Sequence, residues 1–133
     1  MTVSEKRPWD LEREILDLIA DKWAMLIVNC LGQGVMRFTQ LKVEVPGISH
    51  KMLAQTLRGL ERNGIVERYA HATVPPRVDY ALTPPGRELL EVAIQICGWT
   101  RRNRENVEKA RITFELARRS TTPDASQRAS NAG

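Results

Sequence analysis

Between Ser49 and Gly64 the apolar residues Leu53, Leu57 and Leu60 fall at i, i+4 and i+7, while Lys51, Gln55, Arg58 and Arg62 recur roughly opposite. That period predicts one amphipathic helix, with Ser49 as its cap and Asn63-Gly64 as its stop. Gly59 is placed toward the apolar stripe, a position understandable where a backbone or groove wall comes close. The period then changes from 3.6 to 2. Ile65, Glu67 and Tyr69 alternate with Val66, Arg68 and Ala70, and Val78, Tyr80 and Leu82 alternate with Arg77, Asp79 and Ala81, which predicts two half-buried strands. The segment His71 to Pro76 between them is too long for a two-residue turn, and its paired prolines stiffen a protruding hairpin.

Two more helices precede this run. Leu11, Ile15, Leu18 and Ile19 form one stripe. Asp21 then caps a helix whose Trp23, Leu26, Ile27, Cys30 and Leu31 make the next stripe, as far as Gly32. A short extended segment, Val35 to Phe38, leads to Thr39, read as the cap of a brief helix QLKVEV ending at Pro46. After the hairpin, Thr83-Pro84 opens another helix with Leu89, Ala93, Ile96 and Cys97 on one side. Val107, Ala110, Phe114 and Ala117 carry a weaker stripe onward. The predicted fold is mainly helical α+β: a winged helix-turn-helix with a two-stranded wing, framed by N- and C-terminal helices. Residues 1–9 are expected to be an arm, 10–118 the domain, and 119–133 a disordered tail with almost no large apolar residues.

The order of elements turns attention to the polar faces. A cationic, amide-bearing helix suits the major groove, since Lys and Arg donate to guanine O6 and N7 and Gln pairs with adenine. Arg68, His71 and Arg77 lie on or beside the wing, where cations meet phosphates or a narrow minor groove. An ordinary solvated helix and hairpin would carry such charges too. Their adjacency favours double-stranded DNA. Charge agrees: Lys and Arg number 20 against 16 acidic residues, net +4. Apolar positions on the terminal helices need a cover, and a second copy would match paired half-sites, so a homodimer on a pseudo-palindromic operator is expected.

Other classes find less support. At 133 residues the chain is one domain. It has no apolar run long enough to span a membrane and no secretion signal at its start, so a cytoplasmic protein is expected. Cys30 and Cys97 fall on apolar stripes without metal-ligand spacing, which reads as packed small hydrophobes rather than a redox switch. His50 and His71 are the only histidines, and no nucleophile motif or phosphate-cradling loop accompanies them, so neither an enzyme nor a cofactor is expected. A winged helix used only for protein contacts is the remaining alternative.

From Leu11 to Gly98 the chain resembles the HxlR-type winged helix-turn-helix family of bacterial transcription regulators. The matching residues are ILDLI followed by Lys22-Trp23, Arg37-Phe38 with Leu41, and PGIS at Pro46 to Ser49. LxQxLRxLExNGIVER from Leu53 to Arg68 and VPPRVDYALTPPGREL from Val74 to Leu89 complete the match. The resemblance implies a dimeric regulator, built through its first and last helices, that represses or activates transcription. By the same match Ser49, His50, Lys51, Gln55 and Arg58 look like groove-facing positions and Arg77 like the wing arginine, while Arg37, Thr39, Arg62 and Arg68 complete the expected DNA-binding set. Many members carry a sensor cysteine followed by proline just before the first helix; here Asp10-Leu11 stand there. An unidentified small-molecule effector near the dimer helices, or control by concentration alone, is equally compatible with this sequence.

Overall fold

A computed structural model describes residues 7–121. The elements run α1 (Asp10–Ala20), α2 (Lys22–Leu31), β1 (Met36–Arg37), α3 (Phe38–Glu44), α4 (His50–Arg62), β2 (Val66–His71), β3 (Arg77–Leu82) and α5 (Pro84–Thr121). Compactness divides the chain at Ile94, and the unit that ends there contains every element up to the start of α5.

Local chemistry sets most boundaries. The Asp21 carboxylate accepts from the backbone N–H groups of Trp23 and Ala24, at 2.8 and 3.1 Å, satisfying donors that open α2. Ser49 Oγ accepts from Met52 N at 3.1 Å and starts α4. Asn63 and Gly64 end it, and Gly64 has φ 73°, a left-handed conformation that favours glycine. Thr83 Oγ1 accepts from Gly86 N and donates to the Gly64 and Ile65 carbonyls, so one hydroxyl starts α5 and ties it to the turn after α4.

Thr39 departs from its expected role. α3 begins two residues earlier than expected, at Phe38, with Arg37 as its cap and no capping side chain. Met36 and Arg37 pair with Tyr80 and Asp79 of β3, so the chain leaves the sheet directly into the helix and Thr39 lies inside its first turn.

The sheet is antiparallel with order β1-β3-β2. Its central strand, β3, buries Asp79, Tyr80 and Leu82. In β2 only Val66 is buried, and Tyr69 is 46% exposed, so β2 is not the half-buried strand that alternation predicts. Beyond Val66 every residue of β2 is exposed. The core joins Ile27, Leu31, Leu41, Ile48, Leu53, Leu57 and Leu60, with Leu18, Trp23, Leu89 and Leu90 packed against it. The buried face of α2 is Ala24, Ile27, Val28 and Leu31, whereas Leu26 is 38% exposed. The predicted stripe is therefore turned by about one residue, because a helix apolar almost all round leaves its inward arc to its neighbours. No residue of α1 is fully buried, and Leu11 and Leu16 are exposed.

α5 continues unbroken through Thr121, so the two predicted stripes share one helix. In the unit from Gln95 onward, Ile96, Trp99, Ile112, Phe114 and Leu116 are each at least half exposed. Cys97 is exposed as well. Residues 1–6 of the expected arm and 122–133 of the expected tail lie outside the described residues. No helix among the described residues is long and apolar enough to cross a membrane.

Candidate nucleic-acid interface

The two faces of α4 separate sharply. Leu53, Leu57 and Leu60 are at most 1% exposed, while Lys51, Gln55, Arg58 and Arg62 are exposed. None of these four makes a hydrogen bond or ion pair among the described residues, so their donors are free for a partner. Gly59 lies beside this polar face rather than on the apolar stripe, and a Cβ built there would meet no protein atom within 4 Å. No part of the protein requires the glycine, and its backbone is open to an incoming surface.

Ser49 and His50 stand at the start of the helix in different states. The Ser49 hydroxyl is occupied in capping. The His50 ring packs on Phe38 with centroids 4.8 Å apart and planes tilted by 55°, which joins the start of α4 to α3. That contact was not legible in the sequence, because it depends on how the PGIS turn brings the two helices together.

The remaining cations fall into two places. Arg58 of α4 and Arg68 of β2 line a recess of about 380 Å³ with Ala54, Glu61 and Tyr80. Ala54, Arg58 and Glu61 are successive turns of one helix side, and Arg68 is brought opposite Tyr80 by the β2–β3 register. Arg37 and Thr39 line a second recess, of about 580 Å³, facing the wing loop from Thr73 through Arg77 and Val78. The structure thus groups Arg58 with Arg68 and Arg37 with Thr39 and Arg77. Lys51, Gln55 and Arg62 line neither recess.

Arg77 is not a freely swinging wing cation. Its Nη2 donates to Asp79 Oδ2 at 2.9 Å, and its Nε reaches both carboxylate oxygens at 3.2 and 3.3 Å. His71 Nε2 lies 2.9 Å from the same Oδ2. Arg77 and Asp79 share a strand face, and His71 pairs directly with Arg77 across the hairpin. The Asp79 side chain is 9% exposed against 41% for Arg77 and 42% for His71, so the carboxylate is the covered member of the cluster. The Arg77 hydrogen bond is the main influence holding Asp79 below the usual carboxylate range; His71 adds to it and burial opposes it. Asp79 is the centre of this cluster, and the sequence reading missed it. The Arg-x-Asp spacing on one strand was a usable signal, but the third member required the hairpin register.

Tyr69 and Glu67, also on the exposed stretch of β2, hydrogen-bond to each other, which pushes the Tyr69 hydroxyl up. Cys30 is half-buried, and burial followed by the nearby Glu44 carboxylate pushes its thiol up, away from the reactive thiolate. Among the described residues no three His, Cys, Asp or Glu side chains are placed to hold a metal ion.

This geometry agrees with the chain's relatives. Residues 18–108, more than half of the chain, match the family model for HxlR-like helix-turn-helix proteins. The HTH-type transcriptional regulator YtfH of Escherichia coli is 40% identical over 91 residues, covering 68% of this chain and 72% of that protein. Among solved structures, the transcriptional regulator YtfH from Salmonella typhimurium superimposes with a TM-score of 0.66 at 36% identity, over 75% of this chain and 89% of that one. The reduced form of the transcriptional regulator YodB from Bacillus subtilis gives 0.63 at 35% identity, over 68% and 89%. A winged helix with an unpartnered cationic helix face, matched over most of its length to such regulators, belongs to the HxlR-like helix-turn-helix family and is a DNA-binding transcriptional regulator.

Proposed function

We propose that α4 enters the major groove and reads bases through Lys51, Gln55, Arg58 and Arg62, while the wing meets the minor groove or backbone through Arg68 and Arg77. The observation that carries this reading is the α4 face itself: four polar side chains without protein partners, opposite a leucine face at most 1% exposed. A long side chain with no internal task and two or more free donors is suited to a base edge. The chain acts by binding, in the compartment that holds the genome, and not as an enzyme.

Selection of bound fragments from the parent genome tests this directly. A shared sequence should emerge, and Lys51→Ala or Gln55→Ala should relax preference at one or two of its positions, by about 1 to 3 kcal/mol each. Equal affinity for all sequences in the wild type and both variants would leave the protein-contact alternative standing.

The working form is a homodimer covering a pseudo-palindromic operator. Leu11 and Leu16 on α1 support this, and so do Trp99, Ile112, Phe114 and Leu116 within the later part of α5, all exposed large apolar side chains. Sedimentation should give twice the chain mass at micromolar concentration. A mass of one chain, unchanged with concentration, would refute the dimer.

For the input, Asp10 is the first residue of α1, where the resemblance implies a sensor cysteine, and the Cys30 thiol is pushed up. Both weigh against a thiol switch at those two positions, which leaves a small-molecule effector, control by concentration or the exposed Cys97 as the input.

A further inference from the structure

Arg37 and Arg77 line one recess. Arg37 and Thr39 come from the junction of β1 and α3, and Arg77 comes from the base of the wing. The Arg37 guanidinium and the Thr39 hydroxyl have no hydrogen-bond partner among the described residues. Arg77 spends Nε and Nη2 on Asp79 and keeps Nη1 unbonded. No acidic side chain lines the recess, and Phe38, Val74, Pro75 and Pro76 supply apolar walls.

The donor set decides the ligand class. Two guanidinium groups and a hydroxyl, with no carboxylate or amide side chain among them, suit a tetrahedral oxyanion better than a base edge, which presents donors as well as acceptors. We infer that this recess grips one phosphodiester of the DNA backbone between Arg37 and Arg77, and that Asp79 is the positioning residue that aims Arg77 into it. The inference rests on the DNA-binding reading above and deepens it: Arg37 and Arg77 act on a single phosphate rather than on two. Asp79 cancels one positive charge of the wing and in exchange orients a planar fork that would otherwise sample many rotamers.

The test uses the full chain and a labelled duplex of mixed sequence, because a phosphate grip does not depend on sequence. Affinity is followed by anisotropy from about 50 to 200 mM salt. Arg37→Ala and Arg77→Ala should each weaken binding several-fold. The double variant should lower the salt slope by about 0.9, the value of one phosphate, whereas a fall of about 1.8 would mean two separate phosphates and overturn the grip. Asp79→Asn removes a negative charge, so charge alone would tighten binding; the positioning role requires weaker binding, and tighter binding overturns it. Arg77→Lys, which keeps the charge without the fork, guards against a folding defect at Asp79. It should bind several-fold more weakly at an unchanged slope, and wild-type affinity overturns the oriented fork. Inorganic phosphate, followed by phosphorus line broadening, separates the two sources of this chemistry. Arginine-dependent binding of free phosphate with duplex affinity unchanged in both variants would make the recess a small-anion site and overturn the inference. A wild type that binds no duplex even at the lowest salt would instead sink the DNA-binding reading itself.

Discussion

Replacing Leu57 by alanine is expected to lower the free energy of unfolding by about 2 to 5 kcal/mol, the cost of removing a fully packed leucine and leaving a cavity. Leu57 is 1% exposed, lies between Leu53 and Leu60 on the inward face of α4, and belongs to the single core cluster that also holds α2, α3 and β3 residues. A domain of this size typically has about 5 to 15 kcal/mol in all, so the loss is a large share. The same leucine decides which way α4 faces, because the polar side chains can point outward only while the leucines are held in. DNA binding by the variant should therefore fail at the temperature where it unfolds and persist well below it. Urea unfolding followed by circular dichroism measures the first effect. A change below about 1 kcal/mol would show that α4 does not pack through this face.

Gly86→Ala is expected to destabilise, against the usual sign for a helix. Alanine in an exposed helical position is favoured over glycine by about 1 kcal/mol. At Gly86 the added methyl would collide with the Ile65 carbonyl oxygen and come within 3.2 Å of Leu82 Cδ2. The carbonyl cannot easily retreat, since it accepts from Thr83 N and Thr83 Oγ1, both at 3.1 Å. Forcing α5 away from this turn should cost about 1 to 3 kcal/mol or more and lower the melting temperature. Gly59→Ala provides the control in the same experiment, because that site is open and the substitution should be neutral or stabilising for the fold. Matching melting temperatures for the two variants would contradict the close approach at Gly86.

Where the sequence was legible, a short-range rule was at work. Asp21, Ser49 and Thr83 were identifiable as helix starts because a capping side chain bonds to backbone only two or three residues away. The α4 boundaries followed from Ser49 and from Asn63-Gly64, and its leucine face from the period. Thr39 failed under the same rule, since the β1–β3 pairing had already set where α3 begins. Leu26 was assigned to the inward stripe of α2, but Ala24 and Val28 join Ile27 and Leu31 there, with Trp23 only partly buried at its edge. In a helix with apolar residues on nearly every side, periodicity has little contrast, and packing against α3, α4 and the sheet chooses the arc.

The candidate site divides along the same line. Which side chains are available for DNA was readable, because a polar face opposite an apolar one is a property of local spacing. How they are grouped was not. Arg77 looked like a solitary wing cation; Asp79, two residues on along the same strand, anchors it, and only the register of β2 with β3 brings His71 to the same carboxylate. Arg37 and Thr39 are distant from Arg77 in sequence, and they meet one recess only because β1 adds to the free edge of β3. The sequence by itself determined the order of elements, the helix starts and the outward chemistry of α4, since all of these depend on residues within one or two turns of each other. The tertiary structure alone decided which arc of α2 is buried, which cations line one recess and that His71 joins Arg77 on Asp79, because those depend on packing and strand pairing between segments whose separation no local period records.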